Sequence, residues 1–136
     1  GAAAAPPGSG FRCFTSPGGF QVLLGRNNVQ NDELSNRVAA PGDVWMHARG
    51  VPGSHAVIRV PSGAVPADED VQFCADLAAY FSKARDSGKA DVIVALAQHL
   101  KKPKGAKPGQ IMVTKELRNV VARPARSEAA RQEGGA

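Results

Sequence analysis

Near its start the chain carries two short runs of strand-forming residues, 11–15 and 20–24. Ser16, Pro17, Gly18 and Gly19 between them supply a turn, so the pattern predicts a β-hairpin ended by Gly25. Asn27 or Asn28 can cap a short helix to about Val38. Asp32 and Glu33 lie toward its positive end, and Pro41-Gly42 forbids continuation. Alternation follows, with Val44, Met46 and Ala48 on one face and Asp43, Trp45 and His47 on the other. After a turn at 50–54, residues 55–60 repeat it, setting Ala56, Ile58 and Val60 against His55, Val57 and Arg59, so these two strands can pair as neighbours. Pro66 and the acids Asp68, Glu69 and Asp70 open a second helix. Its apolar stripe (Phe73, Cys74, Leu77, Ala78, Phe81, Ala84) ends near Ser87-Gly88. Residues 91–97 are apolar on both faces and read as a central strand, with two more short strands at about 110–114 and 119–123. The order ββαββαβββ predicts a single α+β domain, a mixed and largely antiparallel sheet carrying two main helices.

A chain of 136 residues has room for one core. Residues 1–10 are Ala, Pro, Gly and Ser only, and residues 125–136 lack a lasting apolar stripe. Both ends therefore read as disordered linker and tail around a folded unit at 11–124, the form expected of a segment of a longer protein. No apolar run approaches the roughly 18 residues of a membrane span, and the Ala-rich start lacks the basic region of a signal peptide. Cys13 and Cys74 stand far apart, in no metal-ligand spacing. Together these features predict a soluble, intracellular domain in a reducing compartment, with no membrane partner.

The net charge of +5 is modest, but its placement changes the picture. Residues 1–97 carry eight Lys/Arg against nine Asp/Glu, whereas residues 98–126 carry eight against Glu116 alone. A near-neutral body with one strongly basic segment is the footprint of a protein that meets a polyanion, although a basic run can also be no more than a solvated loop. The segment is densest at Lys101, Lys102, Lys104 and Lys107. No acid lies between Asp91 and Glu116, and Pro103 and Pro108 restrain the loop so that ordering it on a ligand costs less entropy. The pattern of a P-loop is missing, so only general phosphate contact is implied.

Three further groups could carry function. Residues 25–32, with Arg26, Asn27, Asn28 and Asn31, gather side-chain amides and a guanidinium at a strand-to-helix turn, which could hold an anion or simply cap the helix. Asp43, Trp45 and His47, with His55 and Arg59 on the adjacent strand, allow three readings. As a catalytic or metal site they lack a recognisable nucleophile and a standard ligand spacing. As core they would be a buried indole with hydrogen-bonded partners. As an RNA surface, Trp45 or the imidazoles would stack on bases while Arg26 and Arg59 hold phosphate. Pro52-Gly53-Ser54-His55 is a tight turn whose glycine permits close approach of a ligand or of a neighbouring strand.

Together, Gly25-Arg26-Asn27-Asn28 with Asn31-Asp32, Asp43-x-Trp45-x-His47, Pro52-Gly53-Ser54-His55, the Ala-Ala-Tyr-Phe-Ser run at 78–82 and the Lys-Pro-Lys-Gly-Ala-Lys-Pro-Gly run at 102–109 resemble the NFACT-R domain. This is the RNA-binding domain of ribosome quality-control proteins of the NEMF, Caliban, FbpA and RqcH type. The similarity covers almost all of residues 11–124. It implies a module that binds tRNA or rRNA in proteins that engage large ribosomal subunits bearing stalled chains. The residues themselves point to no enzyme, cofactor, metal or small-molecule substrate, with a protein-interaction or scaffolding module as the alternative and an RNA-modifying or hydrolytic domain using His47 and His55 as a third reading. The lysine run looks like bacterial members, which implies a bacterial cytoplasm or an organelle of bacterial ancestry such as the chloroplast.

Overall fold

The computed structural model of the protein describes residues 10–134, so the linker expected at the N-terminus lies almost wholly outside the described residues. β1 (Arg12–Thr15) and β2 (Gln21–Leu24) form the expected hairpin, with Arg12 opposite Leu24 and Thr15 opposite Gln21. Six strands make one sheet in the order β1-β2-β4-β3-β5-β8, where β3 is Val44–Ala48, β4 Ala56–Ile58, β5 Ala90–Leu96 and β8 Arg118–Ala122. Every pairing in it is antiparallel. β6 (Leu100–Lys101) and β7 (Met112–Val113) form a separate small ribbon. The long connection between them is the lysine loop.

Period-two alternation gives the sheet two apolar faces, and both are covered. Val22, Leu24, Val44, Met46, Ala56, Ile58, Val92 and Val94 pack under α2 (Asp68–Tyr80), which answers with Val71, Cys74, Ala75, Leu77 and Ala78. Small residues on α2 let the helix lie close to the sheet. Asp70, itself buried, fixes its start by accepting from Ser16 Oγ at 2.8 Å, Gly18 N at 2.6 Å and Ala67 N at 2.9 Å. On the opposite face Leu23, Trp45, Val57 and Ala95 meet Phe11 and Leu34, with Leu100, Ile111 and Val113 packed around them. Leu34 opens the wider π-helical turn at Leu34–Val38 into which the first helix, α1 (Asn28–Glu33), continues.

The structure differs from the sequence expectation at two helix ends. The apolar stripe runs on toward Ser87-Gly88, yet α2 stops at Tyr80. Backbone groups of the 52–54 turn capture the emerging chain, through Ser54 N to Phe81 O at 2.9 Å and Lys83 N to Pro52 O at 2.9 Å. A Cβ at Gly53 would lie 2.5 Å from Ser82 Cβ, so the close approach this glycine permits is to Ser82 of its own chain, which it meets in an isolated antiparallel bridge. At the other end, where a frayed tail was expected from Ala125, the chain forms a 3-10 turn (Pro124–Arg126) and α3 (Glu128–Gly134), and Ala130 is buried in the core under α2.

Candidate nucleic-acid interface

The lysine loop is held to the body through α1. Asp32 receives Lys102 Nζ at 3.0 Å and the Gly109 N–H at 3.2 Å. Gly109 has a φ of +85°, and a Cβ there would stand 3.2 Å from Asn28 O, so the loop closes against α1 at a position suited to glycine. Burial alone would raise the Asp32 carboxyl, but Lys102, the Gly109 amide and Arg37 outweigh it and hold the group below the usual carboxylate range. The absence of nearby acids in sequence therefore misleads for Lys102, which finds its counter-ion 70 residues away. Lys101, Lys104 and Lys107 are exposed, and among the described residues no carboxylate meets their ammonium groups.

The amide-rich turn before α1 is mostly structural. Asn27 Oδ1 caps Gln30 N at 2.9 Å, and Gln30 Oε1 in turn accepts from Arg26 N at 2.7 Å, while Arg26 Nε donates to Gly10 O at 2.7 Å. Asn31 is buried and joins α1 to the 53–55 turn, accepting from His55 N at 3.0 Å and donating to Gly53 O at 3.3 Å. Asn28 stays exposed beside Gly109.

The expected base-stacking face is core. Trp45 is 1% exposed beneath α1, and an indole so enclosed has no face to offer a base. Its N–H donates to Ser35 Oγ at 2.9 Å, and Ser35 Oγ lies 2.7 Å from His55 Nδ1. Because a hydroxyl oxygen accepts two hydrogen bonds and donates one, Ser35 Oγ joins the indole and the imidazole in one buried network with either tautomer of His55. A serine beside an imidazole has the look of a nucleophile and base, but both are buried and the indole holds the same oxygen. His55 is 4% exposed, and burial, reinforced by neighbouring His47, pushes its imidazole down to about 4 against the opposing influence of Asn31, Asp32 and Gly109. His47 is also lowered by burial, against backbone contacts from Ser54 and Val51. The His47 and His55 rings meet edge-on at 5.3 Å.

Asp43 and Arg59 are likewise committed inside the fold. Asp43, 2% exposed, accepts from Ala40 N and Val60 N, each at 2.8 Å, and Arg59 Nε lies 2.8 Å from its Oδ2. Arg59 is partly exposed, and its ion pair with this carboxylate ties β4 to the entry of β3. Asn31, Asp43, Trp45 and His55 are thus corrected from contact residues to supports. The described residues hold no cluster of three metal-ligating side chains, and no helix among them is long and apolar enough to cross a membrane.

A near-neutral antiparallel body with an anchored lysine loop on one face defines an α+β domain built to meet a polyanion. Residues 10–115 match the family described as the NFACT protein RNA binding domain, and the chain belongs to that family. The Rqc2 homolog RqcH of Bacillus subtilis (strain 168) is 46% identical over 96 residues, covering 71% of this chain and 16% of that protein. The Rqc2 homolog RqcH of Streptococcus pneumoniae serotype 2 is 42% identical over 104 residues, covering 74% and 18%. The chain thus spans roughly one sixth of the curated relatives it matches. The solved C-terminal part of the fibronectin/fibrinogen-binding protein from Streptococcus suis aligns with a TM-score of 0.81 at 37% identity, covering 89% of this chain and 48% of that one.

Two features of the site escape the sequence pattern. One is the Asp32 latch, since α1 and the loop are far apart in the chain. The other is a set of rings and guanidiniums at the end of α2, hidden because the stripe assigns Phe81 to the helix. Its only signal is the Ala-Ala-Tyr-Phe-Ser run itself.

Proposed function

We propose that this domain is the RNA-binding module of a bacterial-type ribosome quality-control factor, gripping tRNA or rRNA on large subunits that carry a stalled chain. In this reading it works in the bacterial cytoplasm, binds without catalysing, and leaves chain extension to other parts of its parent. Family membership supports an RNA partner, and relatives named as Rqc2 homologs support the ribosomal setting. The observation that carries the proposal is the anchored loop. Lys102 and Gly109 fix it on Asp32, and Lys101, Lys104 and Lys107 remain for phosphates. A pre-positioned cationic loop binds with less ordering entropy than a free tail of the same charge.

Anisotropy titration of tRNA over a range of salt tests this. Lys101→Ala, Lys104→Ala and Lys107→Ala should each weaken binding about equally for every RNA sequence. Each should also lower the salt slope by up to about 0.7 to 0.9 for every phosphate left without its lysine. Melting temperatures should barely move, because these side chains are exposed. Lysine variants that bind as tightly as the parent would show the loop to be only a solvated turn.

A further inference from the structure

On the reading that the domain binds RNA, we propose that the cleft between the 25–28 turn and the end of α2 is a pocket for one unpaired RNA base. The cleft has a volume of about 200 Å³ and is lined chiefly by Gly25, Arg26, Asn27, Asn28, Gly53 and Phe81. The aromatic part of its lining is Phe81, which belongs to a cluster of rings and guanidiniums behind the cleft. Arg12 Cζ sits 4.3 Å from the Phe81 ring centroid, Arg85 Cζ sits 4.2 Å from that of Tyr80, and the two rings meet edge-on at 5.1 Å. Rings and guanidinium planes are the surfaces on which proteins stack splayed-out bases. The rest of the lining is largely polar. Asn28 is exposed, and among the described residues its carboxamide has no partner, which leaves a donor and an acceptor for a base edge.

Position sets this cleft apart from an ordinary surface depression. Asn28 is also the residue against which Gly109 of the lysine loop packs, so base cleft and phosphate loop lie either side of one wall. An oligonucleotide offers its base and its phosphates at such neighbouring places. The cleft is also preformed: Ser54 N donates to Phe81 O, and Gly53 bridges to Ser82, so no segment has to order on binding. A paired duplex keeps its base faces stacked inside, so only an unpaired nucleotide can enter.

The test compares a short unstructured RNA with a fully paired RNA duplex of equal charge, titrated by anisotropy against the parent and three variants. Phe81→Leu should weaken the single strand by about tenfold, and Asn28→Ala should weaken it in the same direction, both with an unchanged salt slope and unchanged duplex affinity. Lys104→Ala should weaken both RNAs alike and lower the slope. If neither Phe81→Leu nor Asn28→Ala affects the single strand while Lys104→Ala weakens both RNAs, the base pocket is overturned and the lysine-loop reading stands. If the parent binds neither RNA at low salt, both fall. Should Phe81→Leu lower the melting temperature too far to compare, Asn28→Ala decides alone, because its exposed side chain carries no internal bond.

Discussion

Asp32 offers a perturbation in which charge and geometry can be separated. Asp32→Asn and Asp32→Ala remove the same negative charge, so both free Lys102 and raise the net charge by one. If RNA binding depended on charge alone, both would bind more tightly than the parent, and equally. Only Asp32→Asn keeps a side-chain oxygen for the Gly109 N–H, which donates to Asp32 at 3.2 Å and holds the loop against Asn28. A neutral hydrogen bond of this kind contributes about 1 kcal/mol net, and the Lys102 pair, with its lysine 40% exposed, contributes under about 1 kcal/mol. Because affinity scales with the fraction of loop in its binding arrangement, losing the Gly109 bond should cost up to about fivefold. At equal salt, Asp32→Ala should therefore bind tRNA more weakly than Asp32→Asn, by up to about fivefold, with parallel salt slopes. Anisotropy titrations of the two variants, with hydrogen exchange at the Gly109 amide to report docking, make the comparison. Equal affinities, with the Gly109 amide deprotected only in Asp32→Ala, would refute the idea that loop docking contributes to binding.

Trp45→Ala should lower stability by about 3 to 5 kcal/mol in a denaturant titration, because it empties a fully enclosed site and leaves Ser35 and His55 without their indole partner. The salt slope of RNA binding should stay unchanged in the fraction that remains folded. Stability should also fall as pH drops from about 6.5 to about 4: His55 is held neutral in the fold with its titration pushed down to about 4, so the unfolded chain binds the extra proton in that window. The difference from 6.5 corresponds to about 3 kcal/mol, and His55→Gln should flatten that limb of a melting profile against pH. A further loss should follow below about pH 4, where Asp70, held low by Ser16, Gly18 and Ala67 despite its burial, takes up a proton and gives up those bonds.

The elements legible in the sequence are those fixed by local chemistry. Pro17-Gly18-Gly19 marks the first hairpin, and the alternation at 43–48 and 55–60 places β3 beside β4 with the correct residues sharing faces. What alternation cannot say is whether a face meets water or another element. Trp45 and His55 do share a face, but α1 and the loop ribbon lie over it, so an apparently chemical indole and imidazole are core, while His47 at its margin stays partly exposed. The end of α2 is illegible for a related reason. Phe81 and Ala84 continue the helical stripe, but the backbone of the 52–54 turn, distant in sequence, takes the groups the next helical turn would have used. The same blindness to distance hides the counter-ion of Lys102.

Core and interface meet in α1. Its π-helical continuation carries Leu34 and Ser35 onto the Trp45 face, and Asp32, just before it in α1, carries the loop. Asn31 between them fixes the helix to the turn that ends α2, through His55 N and Gly53 O. The buried network therefore sets the position of Asp32, and Asp32 sets the position of the lysines. Asn31, Trp45 and His55 sit too deep to touch RNA, yet the family motifs that contain them belong with the lysine run, because without their packing the loop has no fixed place to bind from.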